Sequence, residues 1–183
     1  NDGWKDLLAT TGSVLDNSES VENLPSKLPN LLLRNLGGSR FEDVSAGAGP
    51  AFRNPQAHRG VAFGDLNNDG RMDAVVTCLN AHPEIWINRS PGPNHWLMLK
   101  LVGTRSNRQA LGARIKLTPE SGPAQFNQVT TSVGFSSSSD SRVHFGLGRA
   151  ARAKSIEIVW PSGIRQTVSE APADRVLTIV EGK

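Results

Sequence analysis

A chain of 183 residues with 18 glycines, 11 prolines and a hydrophobic fraction of 37% has the size of one or two domains and the turn content of short strands rather than long helices. Its 20 basic and 17 acidic residues leave a formal charge of +3 without any basic run, which argues against nucleic-acid binding, since phosphate capture needs a concentrated positive face. No stretch approaches the roughly 18 apolar residues of a membrane span, and the single cysteine, Cys78, rules out an internal disulfide and reads as a small buried hydrophobe in the apolar run Ala74 to Leu79.

The first residues, Asn1-Asp2-Gly3-Trp4-Lys5-Asp6-Leu7, repeat the second half of a motif that occurs intact later, so the chain is expected to begin inside a structural unit. Leu7-Leu8-Ala9-Thr10 is strand-like, and the polar stretch Asp16-Asn17-Ser18-Glu19-Ser20 with its neighbouring prolines predicts a loop-rich segment. Leu31 to Leu36, a Gly37-Gly38 turn and Phe41 to Val44 read as a hairpin. Strands are then expected at Gly60 to Phe63, Ala74 to Thr77 and Glu84 to Asn88. The echo of Leu31-Leu32-Leu33-Arg34-Asn35 in Ile85-Trp86-Ile87-Asn88-Arg89, each following an Asn-Asp-Gly segment, suggests repeated units of the kind that build propeller blades.

Between two of those strands lies Asp65-Leu66-Asn67-Asn68-Asp69-Gly70-Arg71-Met72-Asp73. Oxygen-bearing side chains stand at loop positions 1, 3, 5 and 9, glycine at 6, and a backbone carbonyl, that of Arg71, at 7. Carboxylates and carboxamides two residues apart on a tight loop converge on one point, as a hard oxygen-seeking cation requires. The expected ligands for calcium are therefore the side chains of Asp65, Asn67, Asp69 and Asp73 with the carbonyl of Arg71. Val76 occupies the position where an EF-hand carries glutamate, and the flanks are short and β-branched, so the loop joins strands rather than helices. At Asp2, Gly3 and Asp6 only positions 5, 6 and 9 survive, a partial site expected to bind calcium poorly.

Pro91-Gly92-Pro93 marks a boundary between residues 1–90 and 94–183. Beyond it the pattern is two-residue alternation: Leu97, Leu99 and Leu101; Ala113, Ile115 and Leu117; Ile156, Ile158 and Trp160. Further strands are expected at 128–133, 142–145, 165–168 and 176–180. The fold class is all-β: a C-terminal antiparallel β-sandwich or barrel preceded by incomplete propeller-like strands. The sandwich is expected to lie far from the Asp-rich loop, with Leu97, Leu99, Leu101, Ile115, Leu117, Val143, Phe145, Ile156 and Ile158 in its core.

Val61 to Asp73 resembles the FG-GAP/VCBS-type repeat of integrin-like β-propellers. From Asn94 to about Glu181 the chain looks like the ASPIC/UnbV domain, through Asn94-His95-Trp96-Leu97, Gly103 to Arg108, Gly112-Ala113-Arg114, Asp140 to Gly148 and Val159 to Gly163. The resemblance implies calcium at the Asp65 loop, a secreted, periplasmic or cell-surface setting, and a role in adhesion or ligand binding. It carries no catalytic residues.

Other candidates for chemistry are weaker. His58, His82, His95 and His144 show no metal-ligand spacing along the sequence; His144 is expected to point away from the core, and His95 to pack on Trp96. Ser136-Ser137-Ser138-Ser139-Asp140 lacks a nucleophile elbow and a nearby base and reads as a polar loop. Trp86, Trp96 and Trp160 are expected in the core rather than on a sugar-stacking face, and Arg105, Arg108, Arg114, Arg142 and Arg165 as scattered surface charges rather than a ring around an acidic ligand. The chain is thus read as a non-enzymatic, calcium-stabilised interaction module for a protein or glycan partner. The alternatives are an exported calcium-dependent hydrolase and a structural appendage.

Overall fold

The computed structural model describes residues 1–15, 17–21, 23 and 25–183. Asp16, which begins the polar stretch expected as loop, lies outside the described residues, as do Glu22 and Leu24. The remainder of that stretch includes one short helix, α1 (Ser18–Val21). Among the described residues no helix is long and apolar enough to cross a membrane.

The first half forms two three-stranded antiparallel sheets. β1 (Leu7–Ala9), β2 (Leu31–Asn35) and β3 (Phe41–Asp43) make one, in that order; β4 (His58–Gly64), β5 (Asp73–Cys78) and β6 (Glu84–Trp86) make the other. The predicted hairpin is present between β2 and β3, and its turn needs glycine because Gly37 and Gly38 adopt φ of 90° and 88°. In the second sheet Val61, Ala74 and Val76 are buried, with Leu8 of β1, Phe63 and Trp86 packed against them.

The second half is a sandwich of two open sheets. One runs β10 (Val143–Gly148), β7 (His95–Val102), β13 (Arg175–Val180); the other runs β12 (Arg165–Pro172), β11 (Arg152–Val159), β8 (Arg114–Pro119), β9 (Gln125–Gln128). Neither sheet closes into a barrel. All nine side chains expected in the core are buried there, joined by Trp160, Ala153 and Ile179. Each buried Leu or Ile adds about 1.5–3 kcal/mol of transfer free energy, so this half holds most of the apolar stabilisation.

Two details differ from the sequence reading. β13 pairs with β7 in parallel, Leu177 facing Leu99 and Ile179 facing Leu101, so the sandwich is not wholly antiparallel; alternation fixes which face is buried but not strand direction. The strand expected at 128–133 lies instead at Gln125–Gln128, paired with β8. Val129 then leaves the strand as a buried plug bonded to Gly112 and Ala113.

On β7, Met98 is buried although it alternates with the core leucines, and Trp96 and His144 stand beside it on the same outer face. That face is covered by the first half of the chain, which places the Asp-rich loop against the sandwich rather than far from it.

Candidate metal centre

The β4–β5 hairpin closes with Gly64 opposite Asp73, and the intervening loop is organised by its own carboxylates. Asp65 is buried; its Oδ1 accepts from the Asp69 N–H at 3.0 Å and its Oδ2 from the Gly70 N–H at 2.8 Å. Asn68 and Gly70 take positive φ of 58° and 81° to make the turn. Asp73, also buried, accepts from the Leu66 N–H at 2.9 Å on Oδ2 and from the Asn88 N–H at 2.8 Å on Oδ1, tying the loop to the segment after β6. Asp69 accepts from the Arg71 N–H on Oδ1, and on Oδ2 from the Asn67 amide and the Arg71 guanidinium. Burial raises the Asp69 carboxyl, but the bonds from Arg71 and Asn67 and the Arg71 charge together hold it below the usual carboxylate range.

In kind, the expected donors fit a hard cation: all are oxygens, and the Asp65 and Asp73 oxygens each keep a lone pair beyond the one N–H they accept. In place, Asp69 is turned to Arg71, whose side chain also donates to the Asn88 carbonyl at 2.8 Å. Among the described residues, the group of three His, Cys, Asp or Glu ligand atoms within 4.8 Å of one another is His58, Cys78 and Glu84; the loop carboxylates do not form such a group.

The repeat read from sequence has an atomic counterpart. Asp6 accepts from the Asn35 N–H at 2.8 Å, as Asp73 does from Asn88; the Asn35 amide donates to the Lys5 carbonyl as the Asn88 amide does to Met72. Asn35 Oδ1 then accepts from Gly37, and Asn88 Oδ1 from Ser90. Position 9 of the motif therefore pins two strands together in both repeats, including the one that has lost positions 1 and 3.

The loop is seated on the sandwich at Gly70. Its carbonyl accepts from the Asn1 amide at 3.0 Å and from His144 Nε2 at 3.0 Å, which makes His144 the Nε2–H tautomer. Burial lowers the His144 pKa more than the Gly70 bond raises it, so the ring is held neutral. The ring stacks on Trp96 at 6.4 Å with an interplanar angle of 13°. Arg142 donates to the Asp65 carbonyl, to Asn68 Oδ1 and to Asp140. The edge of β4 is joined to the 136–140 loop, because Phe63 N–H donates to Ser139 Oγ and the Phe63 carbonyl accepts from Asp140 N–H.

These contacts settle the other nominations. His144 points off the core, as alternation predicts. His95 pairs with Asp174 at 2.6 Å, and the ring on Trp96 is His144 instead. The serine run is a polar loop serving as an edge strap. Trp160 is in the core; Trp86 and Trp96 are half-buried. Arg142 is an interface residue, tied to the loop.

Sequence reasoning missed Glu181. It is buried and accepts from the backbone N–H groups of Thr104, Arg105 and Ser106 and from the Ser106 and Ser162 hydroxyls. Burial, the largest single influence, raises its pKa, but the bonds from Ser162, Ser106 and Arg105 together outweigh it and hold the carboxyl far below the usual range. The only clue in sequence was the Gly103-Thr104-Arg105-Ser106 motif itself, a nest of N–H groups without a visible guest.

Residues 1–76 match the FG-GAP-like repeat family, and residues 103–183 match the ASPIC and UnbV family. Similar relatives include cartilage acidic protein 1 of Mus musculus, 26% identical over 160 residues, 85% of this chain and 24% of that protein. Cartilage acidic protein 1 of Xenopus tropicalis is 26% identical over 125 residues, 66% of this chain and 19% of that protein. The chain thus spans about a quarter or less of the length of the curated relatives it matches. The FG-GAP-like match contains the Asp65 loop, and the ASPIC and UnbV match contains Arg142, His144 and Glu181.

Proposed function

We propose that this chain is a calcium-binding interaction module of a secreted, periplasmic or cell-surface protein, in which the Asp65 loop is a structural clamp and the strands around it present a surface to a protein or glycan partner. The two family matches support an interaction module. One observation carries the clamp: the loop of hard oxygen donors is tied to the sandwich at two points, the Gly70 carbonyl accepting from His144 and the Asp65 carbonyl from Arg142, with the Asp65 and Asp73 carboxylates buried.

The residues that would hold calcium are Asp65, Asn67, Asp69 and Asp73 with the Arg71 carbonyl. Calcium would supply charge neutralisation and cross-linking of the loop. The loop's own groups do the rest: Asp65 and Asp73 fix the backbone, and Asp69, which accepts from Arg71, would turn from that guanidinium to serve as a ligand. Calorimetric titration of chelator-treated protein is expected to show binding that Asp65→Ala and Asp69→Ala abolish; unchanged binding in both variants would refute the assignment. For the partner, an adhesion role is read out by immobilising the chain and comparing retention of matrix proteins and glycans with and without calcium.

A further inference from the structure

The β4–β5 hairpin carries a second cluster at its other end. His58 on β4 stands directly opposite Cys78 on β5, and Glu84 on β6 stands opposite Val76, two residues along β5 on the same face as Cys78. One ligand atom from each, imidazole nitrogen, thiol sulfur and carboxylate oxygen, lies within 4.8 Å of the other two. His58 is only 2% exposed, and among the described residues neither ring nitrogen has a hydrogen-bond partner. The nearest charged acceptor, Glu84 Oε2, is 3.6 Å from Nε2, beyond hydrogen-bond range. An unpaired buried polar group is costly, so an orphaned imidazole aimed at a carboxylate and a thiol asks for something between them.

We propose that His58, Cys78 and Glu84 form a binding site for a zinc-class divalent cation, with water or an exogenous ligand in the fourth position. The mixed nitrogen, sulfur and oxygen set suits zinc and is wrong for calcium, which takes oxygens. Zinc–nitrogen and zinc–oxygen bonds of about 2.0–2.2 Å place two tetrahedral ligands roughly 3.4 Å apart, close to the 3.6 Å between His58 and Glu84. The supporting shell is present as well. Trp86 Nε1 donates to Glu84 Oε2 at 2.7 Å, fixing the carboxylate. The Trp86 ring meets His58 edge-on at 5.5 Å and Phe52 at 5.3 Å, walling the site with apolar surface. On binding, the Cys78 S–H bond is replaced by a sulfur–metal bond and its proton passes to solvent.

The test is titration of the reduced, chelator-treated chain with cobalt(II) as a spectroscopic stand-in. One equivalent is expected to give a thiolate-to-cobalt charge-transfer band that zinc displaces, that Asp65→Asn leaves in place and that Cys78→Ser abolishes. Trp86→Phe is expected to weaken zinc binding about 10- to 100-fold by releasing Glu84. Zinc is also expected to slow alkylation of Cys78 in the unmodified sequence, a readout that needs no variant to fold. Absence of the band in folded protein, its persistence in Cys78→Ser, or alkylation at an unchanged rate with zinc present would overturn the proposal.

Discussion

The indole of Trp96 lies over Gly70 so closely that a Cβ added there would stand 2.0 Å from its ring atoms. Gly70 also holds a φ of 81° that side chains rarely adopt. Glycine at position 6 of the loop is thus demanded twice, by the turn and by the C-terminal sandwich on which the loop sits. Gly70→Ala is expected to lower stability by about 1–3 kcal/mol through overpacking and strain. The cost should shrink in a Trp96→Ala background, because the two residues share one contact. Chemical denaturation of the parent and the three variants of that cycle measures it; strictly additive effects would show that only the turn matters.

Asp73 and Asp69 should part company when mutated. Asp73 is buried and bridges Leu66 and Asn88, and Asp6 repeats half of that arrangement in a unit lacking positions 1 and 3. Asp73→Ala is therefore expected to cost about 3 kcal/mol even without calcium, since it strands two backbone donors that faced a charged acceptor, and more with calcium, since it also removes a ligand. Asp69→Ala should be mild without calcium and matter only in its presence. Thermal melts of both variants in chelator and in calcium check this; equal costs in chelator would contradict it.

Glu181 makes acid stability a local property of the Gly103–Ser106 nest. Its folded pKa is depressed below the ordinary 4.5, so its contribution is present above that value and is lost as pH falls from there toward the lower folded value. Denaturation midpoints taken from pH 6 downward should fall below about pH 4.5 in the parent. The fall should be shallower in Glu181→Gln, which starts lower and has no charge to lose. Parallel curves would place the acid sensitivity elsewhere.

The sandwich was legible because alternation of Leu97, Leu99 and Leu101 against polar neighbours states directly which side chains face inward. The Asp-rich loop was legible because its residues are adjacent in sequence. What escaped was set by pairing between distant strands. The parallel docking of β13 on β7, the meeting of His58 with Cys78 and Glu84, and the capture of Glu181 by the Thr104–Ser106 amides each join residues with no shared spacing. His144 lay between these cases: alternation pointed it outward, but nothing local showed that Gly70 would be waiting.

Under the proposed function, calcium clamps the β4–β5 hairpin and, through Gly70, the outer face of the sandwich. Free calcium at about 100 times its dissociation constant adds roughly 2.7 kcal/mol to the folded form. Hydrogen exchange of the full chain in calcium and in chelator measures where that stabilisation is felt. Slower exchange with calcium is predicted across residues 61–77 and at 142–144, with β8 and β11 unaffected. Identical exchange in both conditions, with the protein folded throughout, would contradict the account.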